Sequence, residues 1–186
     1  MKKLTAAIVV LTTSLLVVGS AFAAQLDEQT QQALIDAVND EYKAHATYQK
    51  VIDQFGQVRP FTNIIKAEET HIQYLLPLFE KYGVAVPEDT WYDKVGSFAS
   101  LQEAVEGGIQ AEIENADMYD EFFAFVEEED IVTVFTLLRD ASREKHLPAF
   151  QRVASRWTNQ ATQSVQNDQR PGRGSRGAGR RSGRRR

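Results

Sequence analysis

The chain has 186 residues and no cysteine, which excludes disulfides, thiolate metal sites, iron–sulfur clusters and thiol nucleophiles together. Its net charge of −5 divides unevenly: residues 24–166 carry 25 acidic and 11 basic side chains, a net of −14, whereas residues 167–186 carry eight arginines and one aspartate, a net of +7. One compact domain is the natural count for this length, and the two regions have separate readings.

Residues 1–23 have the pattern of a secretory signal. Lys2 and Lys3 precede an apolar stretch from Leu4 to Val18, and Ala21-Phe22-Ala23 offers a small-residue cleavage site. The apolar run is short for a membrane span. The expected location is therefore periplasmic or extracellular, with the mature chain starting near Ala24.

Apolar residues then recur at helical spacing through four segments. The first predicted helix covers Asp27–Gln54, with Leu34, Val38, Glu41, Ala44, Tyr48, Val51 and Phe55 on one stripe. Gly56 and Pro60 end it and make the next helix an antiparallel neighbour. The second covers Phe61–Tyr82, with Ile64, Glu68, His71, Leu75 and Phe79 facing one way. Pro77 should kink it, and Gly83 caps it. Residues 83–98 show no lasting helical period and are long enough for a crossover running the length of a bundle. The third predicted helix covers Phe98–Glu128. Ala111, Glu114, Met118, Phe122 and Phe125 form one stripe; Val105, Ile109, Ala116, Tyr119 and Phe123 form another. Glu112, on the second stripe, reads as a solvated or interhelical acid. The fourth covers Ile131–Trp157, with Phe135, Leu138, Ser142, His146, Ala149, Val153 and Trp157 in line and Pro148 as a second kink. The expected fold is all-α, an antiparallel four-helix bundle over residues 24–158 with one long crossover. Residues 159–186 are polar, then rich in Arg and Gly, and are expected to be disordered because they offer too little apolar surface to offset ordering entropy.

The chemistry concentrates on acids inside these stripes. Glu68 and His71 are three residues apart, about 300° and 4.5 Å along a helix, so both reach one point. Glu41 lies 27 residues before Glu68. The second half repeats the layout, with Glu114 lying 29 residues before Arg143 and His146 three further on. Carboxylates and Glu-x-x-His pairs converging from four helices make a metal-binding core. Buried carboxylates without a cation would repel one another or take up protons. His45, one turn after Glu41, reads as an ordinary helix histidine.

Four stretches resemble the ferritin-like superfamily and its rubrerythrins: Glu41-Tyr-Lys-Ala-His-Ala-Thr-Tyr48, Glu68-Glu-Thr-His71, Glu114-Asn-Ala-Asp-Met-Tyr119 and Lys145-His-Leu-Pro-Ala-Phe150. Ile113-Glu-Asn-Ala-Asp117 and the His-Leu-x-Ala-Phe ending are similar to a secreted ferritin-like branch of unknown function. The resemblance implies a metal site of Glu41, Glu68, His71, Glu114 and His146, with Asp117 as a further acid and Tyr48 bonded to a ligand. It implies iron, one ion or two, with manganese or zinc as alternatives, and oxidation of ferrous iron or reduction of peroxide or dioxygen. Two positions depart from the pattern: Arg143 stands where a fourth-helix glutamate is expected, and Ala111 where rubrerythrins add another. An inward Arg143 would pair with Glu41 or Glu114 and oppose a second ion. The alternative reading is a non-enzymatic bundle with a degenerate site, tethered through Arg170–Arg186 to an anionic polymer or surface. That segment has no aromatic residue for base stacking, so sequence-specific nucleic-acid recognition is not expected. Metal ions and a second copy of the chain, as a homodimer, complete the expected partners.

Overall fold

Asp27 starts the first helix, its Oδ1 accepting the Thr30 backbone N–H at 2.8 Å and so satisfying one of the orphan donors of the first turn. The structure, a computed structural model, describes residues 25–168. These residues are all-helical, with no strand among them. The helices are α1 (Glu28–Phe55), α2 (Phe61–Tyr82), α3 (Trp91–Lys94), α4 (Leu101–Phe122), α5 (Glu129–Ala141) and α6 (Leu147–Asp168). A π-helical turn, Ser142–His146, joins α5 to α6 without a break. No helix among the described residues is long and apolar enough to cross a membrane. The signal-like residues 1–23 and the arginine-rich stretch from Arg170 lie outside the described residues.

Helix ends follow local chemistry more closely than apolar period. The third long helix begins at Leu101 rather than Phe98, because Ser100-Leu-Gln-Glu103 forms a cap. The Ser100 Oγ accepts the Glu103 N–H at 3.1 Å, and the Glu103 carboxylate accepts the Ala99 N–H at 2.6 Å. It ends at Phe122, and turns carry the chain through Val126. Gly83 ends α2 in a left-handed conformation (φ 66°), with the Val84 N–H returning to the Phe79 carbonyl. Pro77 sits inside a helix that continues from Phe61 to Tyr82. The last helix runs on to Asp168, so the polar residues 159–168 are helical where disorder was expected.

Two apolar clusters set the direction of each long segment. One joins Leu34 and Val38 of α1, Leu75 and Phe79 of α2, Tyr119 and Phe122 of α4, and Ile131, Phe135 and Leu138 of α5. The other joins Tyr48 and Val51 of α1, Phe61 and Ile64 of α2, Ala104 and Val105 of α4, and Phe150 of α6. Thus α1 and the continuous α5–α6 rod run one way, while α2 and α4 run the other. The stretch from Gly83 to Ser100 must return the chain from one end to the other. It does so along α1: Trp91 Nε1 donates to Asn39 Oδ1 at 3.3 Å, Tyr92 donates to Asp53 at 2.6 Å, and the Phe98 N–H donates to Gln54 at 3.0 Å.

Between α4 and α6 the backbone of Gly108 lies against the Phe150 ring. A Cβ at Gly108 would stand 2.7 Å from two ring carbons, whereas one at Gly107 would meet only Phe98 at 3.9 Å. Phe150 is itself wedged between Tyr48 and Phe61, with ring centroids at 5.6 and 5.1 Å, so it has little room to give. Alanine gains about 1 kcal/mol of helix propensity at either glycine, and overpacking costs about 1–3 kcal/mol. Urea unfolding should show G107A stabilised by up to about 1 kcal/mol and G108A destabilised by up to about 2 kcal/mol, the overpacking cost less the propensity gain.

Candidate metal centre

The space between the two apolar clusters is polar, and it is filled from every long segment. Glu41 continues the buried stripe of Leu34, Ala37 and Val38 on α1. Glu68 and His71 lie between Ile64 and Leu75 on α2. Glu112 lies one heptad from both Val105 and Tyr119 on α4. His146 closes the π turn. All five side chains are at most 4% exposed.

They form two triads that share one carboxylate. On one side, His71 Nδ1 lies 3.1 Å from Glu41 Oε2 and 2.9 Å from Glu68 Oε2. On the other, His146 Nδ1 lies 3.2 Å from Glu68 Oε1 and 3.3 Å from Glu112 Oε2. The imidazole rings stack with centroids 5.5 Å apart and planes inclined by 23°. In each triad the donor atoms lie within 4.8 Å of one another, close enough to hold one cation.

The outer oxygens are tied across the fold. Tyr48 of α1 donates to Glu112 Oε1 of α4 at 2.6 Å, and Tyr119 of α4 donates to Glu41 Oε1 of α1 at 3.1 Å. Each tyrosine lies seven residues after the glutamate of its own helix and bonds the glutamate of the other. This leaves the second oxygen of each glutamate turned to its histidine. Burial and the nearby carboxylates push both phenols well above the usual tyrosine range, so both remain O–H donors.

The donor set fits a cation on two grounds. Glu68 Oε1 and His146 Nδ1 are buried and face each other at 3.2 Å without forming a hydrogen bond, as two lone-pair donors do when both point at a third atom. Oxygen and imidazole donors also suit iron, manganese or zinc. In the absence of a cation, protons supply the compensating charge. Burial pushes the imidazoles down, but the carboxylates facing them at close range overcome it and raise His71 to about 9 and His146 to about 10. Burial raises Glu41 to about 8 and also raises Glu112. Burial acts on Glu68 in the same sense, but the two imidazoles facing its oxygens outweigh that and hold it down at about 2.

Glu41, Glu68, His71 and His146 are thus brought together, with Tyr48 bonded beside them. Glu114 and Asp117 are not: both are exposed on α4, and Glu112 occupies the inward position. The sequence holds a signal for this. Glu41 and Tyr48 are seven residues apart, as are Glu112 and Tyr119, whereas the pairing with Glu114 has no such partner. Arg143 also differs from expectation. It points outward and pairs with Asp120, itself held by Arg139. Ser142 is buried, as its place on the predicted stripe with His146 implies, and the π turn adds a residue to this turn of helix. The Leu147 N–H returns to the Ser142 carbonyl five residues back. The next residue, Pro148, has no N–H to offer. His45 is half-buried and belongs to neither triad.

No protein-family profile matches the chain. The uncharacterised protein MJ0754 of Methanocaldococcus jannaschii is 26% identical over 154 residues, which span 74% of this chain and 81% of that protein. The crystal structure of the hypothetical protein MJ0754 from Methanococcus jannaschii is similar in fold, with a TM-score of 0.65 at 23% identity, covering 72% of this chain and 83% of that one.

The protonation pattern has a measurable sign. Histidines raised above their unfolded value near 6.5 contribute stability that is complete below that pH and lost as pH climbs through about 9 and 10. A divalent ion displaces these same protons, so its binding strengthens as pH rises. The melting temperature of the metal-free protein should fall from pH 6.5 to 9, and the rise produced by zinc should grow over that interval. At a free ion concentration 100-fold above Kd the rise corresponds to about 2.7 kcal/mol, or about 5–10 °C for a chain of this length. Replacing both His71 and His146 by alanine should remove the histidine share of the fall, leaving the share carried by Glu41.

Proposed function

We propose that this chain is a dinuclear metal-binding protein built as a ferritin-like four-helix bundle, with α1, α2, α4 and the α5–α6 rod as its four members. The observation that carries the reading is the position of Glu68. One oxygen faces His71 and Glu41, the other faces His146 and Glu112. A carboxylate that presents each oxygen to a separate histidine–glutamate pair would be shared by two bound cations. Glu41 with His71 would hold one ion, and Glu112 with His146 the other.

The chain's own residues perform three tasks. Tyr48 and Tyr119 fix the outer carboxylates, as hydrogen bonds to metal-ligating groups commonly do. The clusters around Phe79 and Phe150 close both ends against water. Asn115, bonded by Ser142 at 2.7 Å, holds the π turn against α4. An iron pair in this position would supply redox chemistry, and the corresponding activities are oxidation of ferrous iron or reduction of peroxide. The charged and apolar start of the sequence supports action outside the cytoplasm. A second reading is favoured by one feature: the carboxylate–imidazole distances of 2.9–3.3 Å also suit a proton-bridged polar core. On that reading the bundle is non-enzymatic, and its basic C-terminal stretch tethers it to an anionic surface.

Anaerobic titration with ferrous iron, followed by metal analysis after gel filtration, separates the two. The expected result is two ions per chain. Glu68→Ala should abolish paired binding, and Tyr48→Phe should weaken it about 10-fold or more. Arg143→Glu should leave the stoichiometry unchanged, because that side chain is turned away from the centre. No bound ion, with the same melting temperature in iron, manganese and zinc, would establish the proton-bridged core instead.

A further inference from the structure

The two halves of the centre differ in their access to solvent. A cavity of about 30 Å³ lies between α1 and α4, and its lining includes Lys43, Glu114, Asp40, Ala111, Glu112 and Glu68. That volume accommodates a water or a partly dehydrated ion. Lys43 and Glu114 are exposed, whereas Glu68 and Glu112 are 2% and 3% exposed, so the cavity leads from the surface to the shared carboxylate. Glu41, His71 and His146 do not line it, but Glu68 and Glu112, whose carboxylates face His146, do.

We infer that this cleft admits divalent cations to the centre and that the Glu68–Glu112–His146 half fills first. The inference rests on the dinuclear reading above. Carboxylates descend through the cleft: Glu114 at the mouth, Asp40 partway, then Glu112 and Glu68 at the floor, with Lys43 the only basic residue in its lining. A narrow passage with low-dielectric walls and one sign of charge concentrates the counter-ion. Asp40 is held in the wall by the Asn115 amide, which donates to it at 2.7 Å, while Asn115 is fixed by the Ser142 hydroxyl. At the floor, buried Glu68 Oε1 has no hydrogen-bond partner. That oxygen belongs to the His146 half. An arriving ion therefore meets Glu68 and Glu112 first, and His146 directly behind them, before it can reach Glu41 and His71. Ala44 and Ala111 leave the passage open; a larger side chain at either would narrow it.

The test is stopped-flow uptake of cobalt(II) by the full-length metal-free protein, followed by cobalt absorption, together with equilibrium stoichiometry. Ala111→Leu and the surface change Glu114→Lys should each slow uptake about 10-fold, the lower end of what a focused charged entrance supplies. Both should still bind two ions at equilibrium. Wild-type uptake should slow as ionic strength rises. One ion per chain added to His71→Ala should bind at the wild-type fast rate, and added to His146→Ala should not. Uptake by both A111L and E114K at the wild-type rate, with two ions bound, overturns the access route and leaves the dinuclear reading standing. A wild-type protein that binds no ion overturns both.

Discussion

Removing a carboxylate such as Glu68 from water costs several kcal/mol unless its charge is compensated at close range, and here the compensation comes from two sides. His71 and His146 reach its two oxygens from different helices. Glu41 and Glu112, both raised by burial, lie beyond them, so Glu68 is the carboxylate whose buried charge depends on the two imidazoles. This constraint explains why every long segment supplies a polar residue at the same level. It also explains why the tyrosines cross: an outer glutamate with an unbonded oxygen would be a second orphan in a low-dielectric core.

The polar belt requires the apolar clusters on either side of it. Each cluster draws residues from every long segment of the fold, so the helices are registered above and below the belt independently. Phe150 fixes α6 against Gly108 of α4 at one end, and Tyr119 packs on Phe135 at the other, with ring centroids 5.1 Å apart. The π turn lies between these fixed points. It presents Ser142 and His146 on the inner face, with the arginine outside beside Asp120.

Much of this was legible in the residues because an acid or a histidine within an apolar stripe is costly to bury and seldom lies there without a partner. Glu41, Glu68, His71 and His146 could be read directly, as could all-helical secondary structure and a crossover spanning the length of the fold. The phase of α4 was not, for a physical reason. It carries apolar residues on two stripes, and Phe122 served the stripe of Glu114 while being buried on the face of Glu112. Hydrophobic period alone could not choose between them; the seven-residue interval from glutamate to tyrosine, common to α1 and α4, could have. The inward reading of Arg143 came from matching it to a motif glutamate, whereas the apolar period already put Ser142 on the inner face, where it is buried. The start of α4 was set by the Ser100–Glu103 cap, a local bond that apolar spacing cannot reveal.

An internal asymmetry follows from the same geometry. The pseudo-repeated halves match in glutamate, histidine and crossing tyrosine, but only α2 has a carboxylate at the bridge. The corresponding place on the α5–α6 rod belongs to Ser142, which is small and spends its hydroxyl on Asn115. Ser142 and Glu112 line the cavity beside Glu68. On the dinuclear reading proposed above, a small side chain at that place would leave the shared carboxylate open on one side, and cations would replace the belt's protons between two apolar clusters that hold the helices. A rigid frame around a core that can exchange its positive charge is the physical requirement for binding metal reversibly within a packed fold.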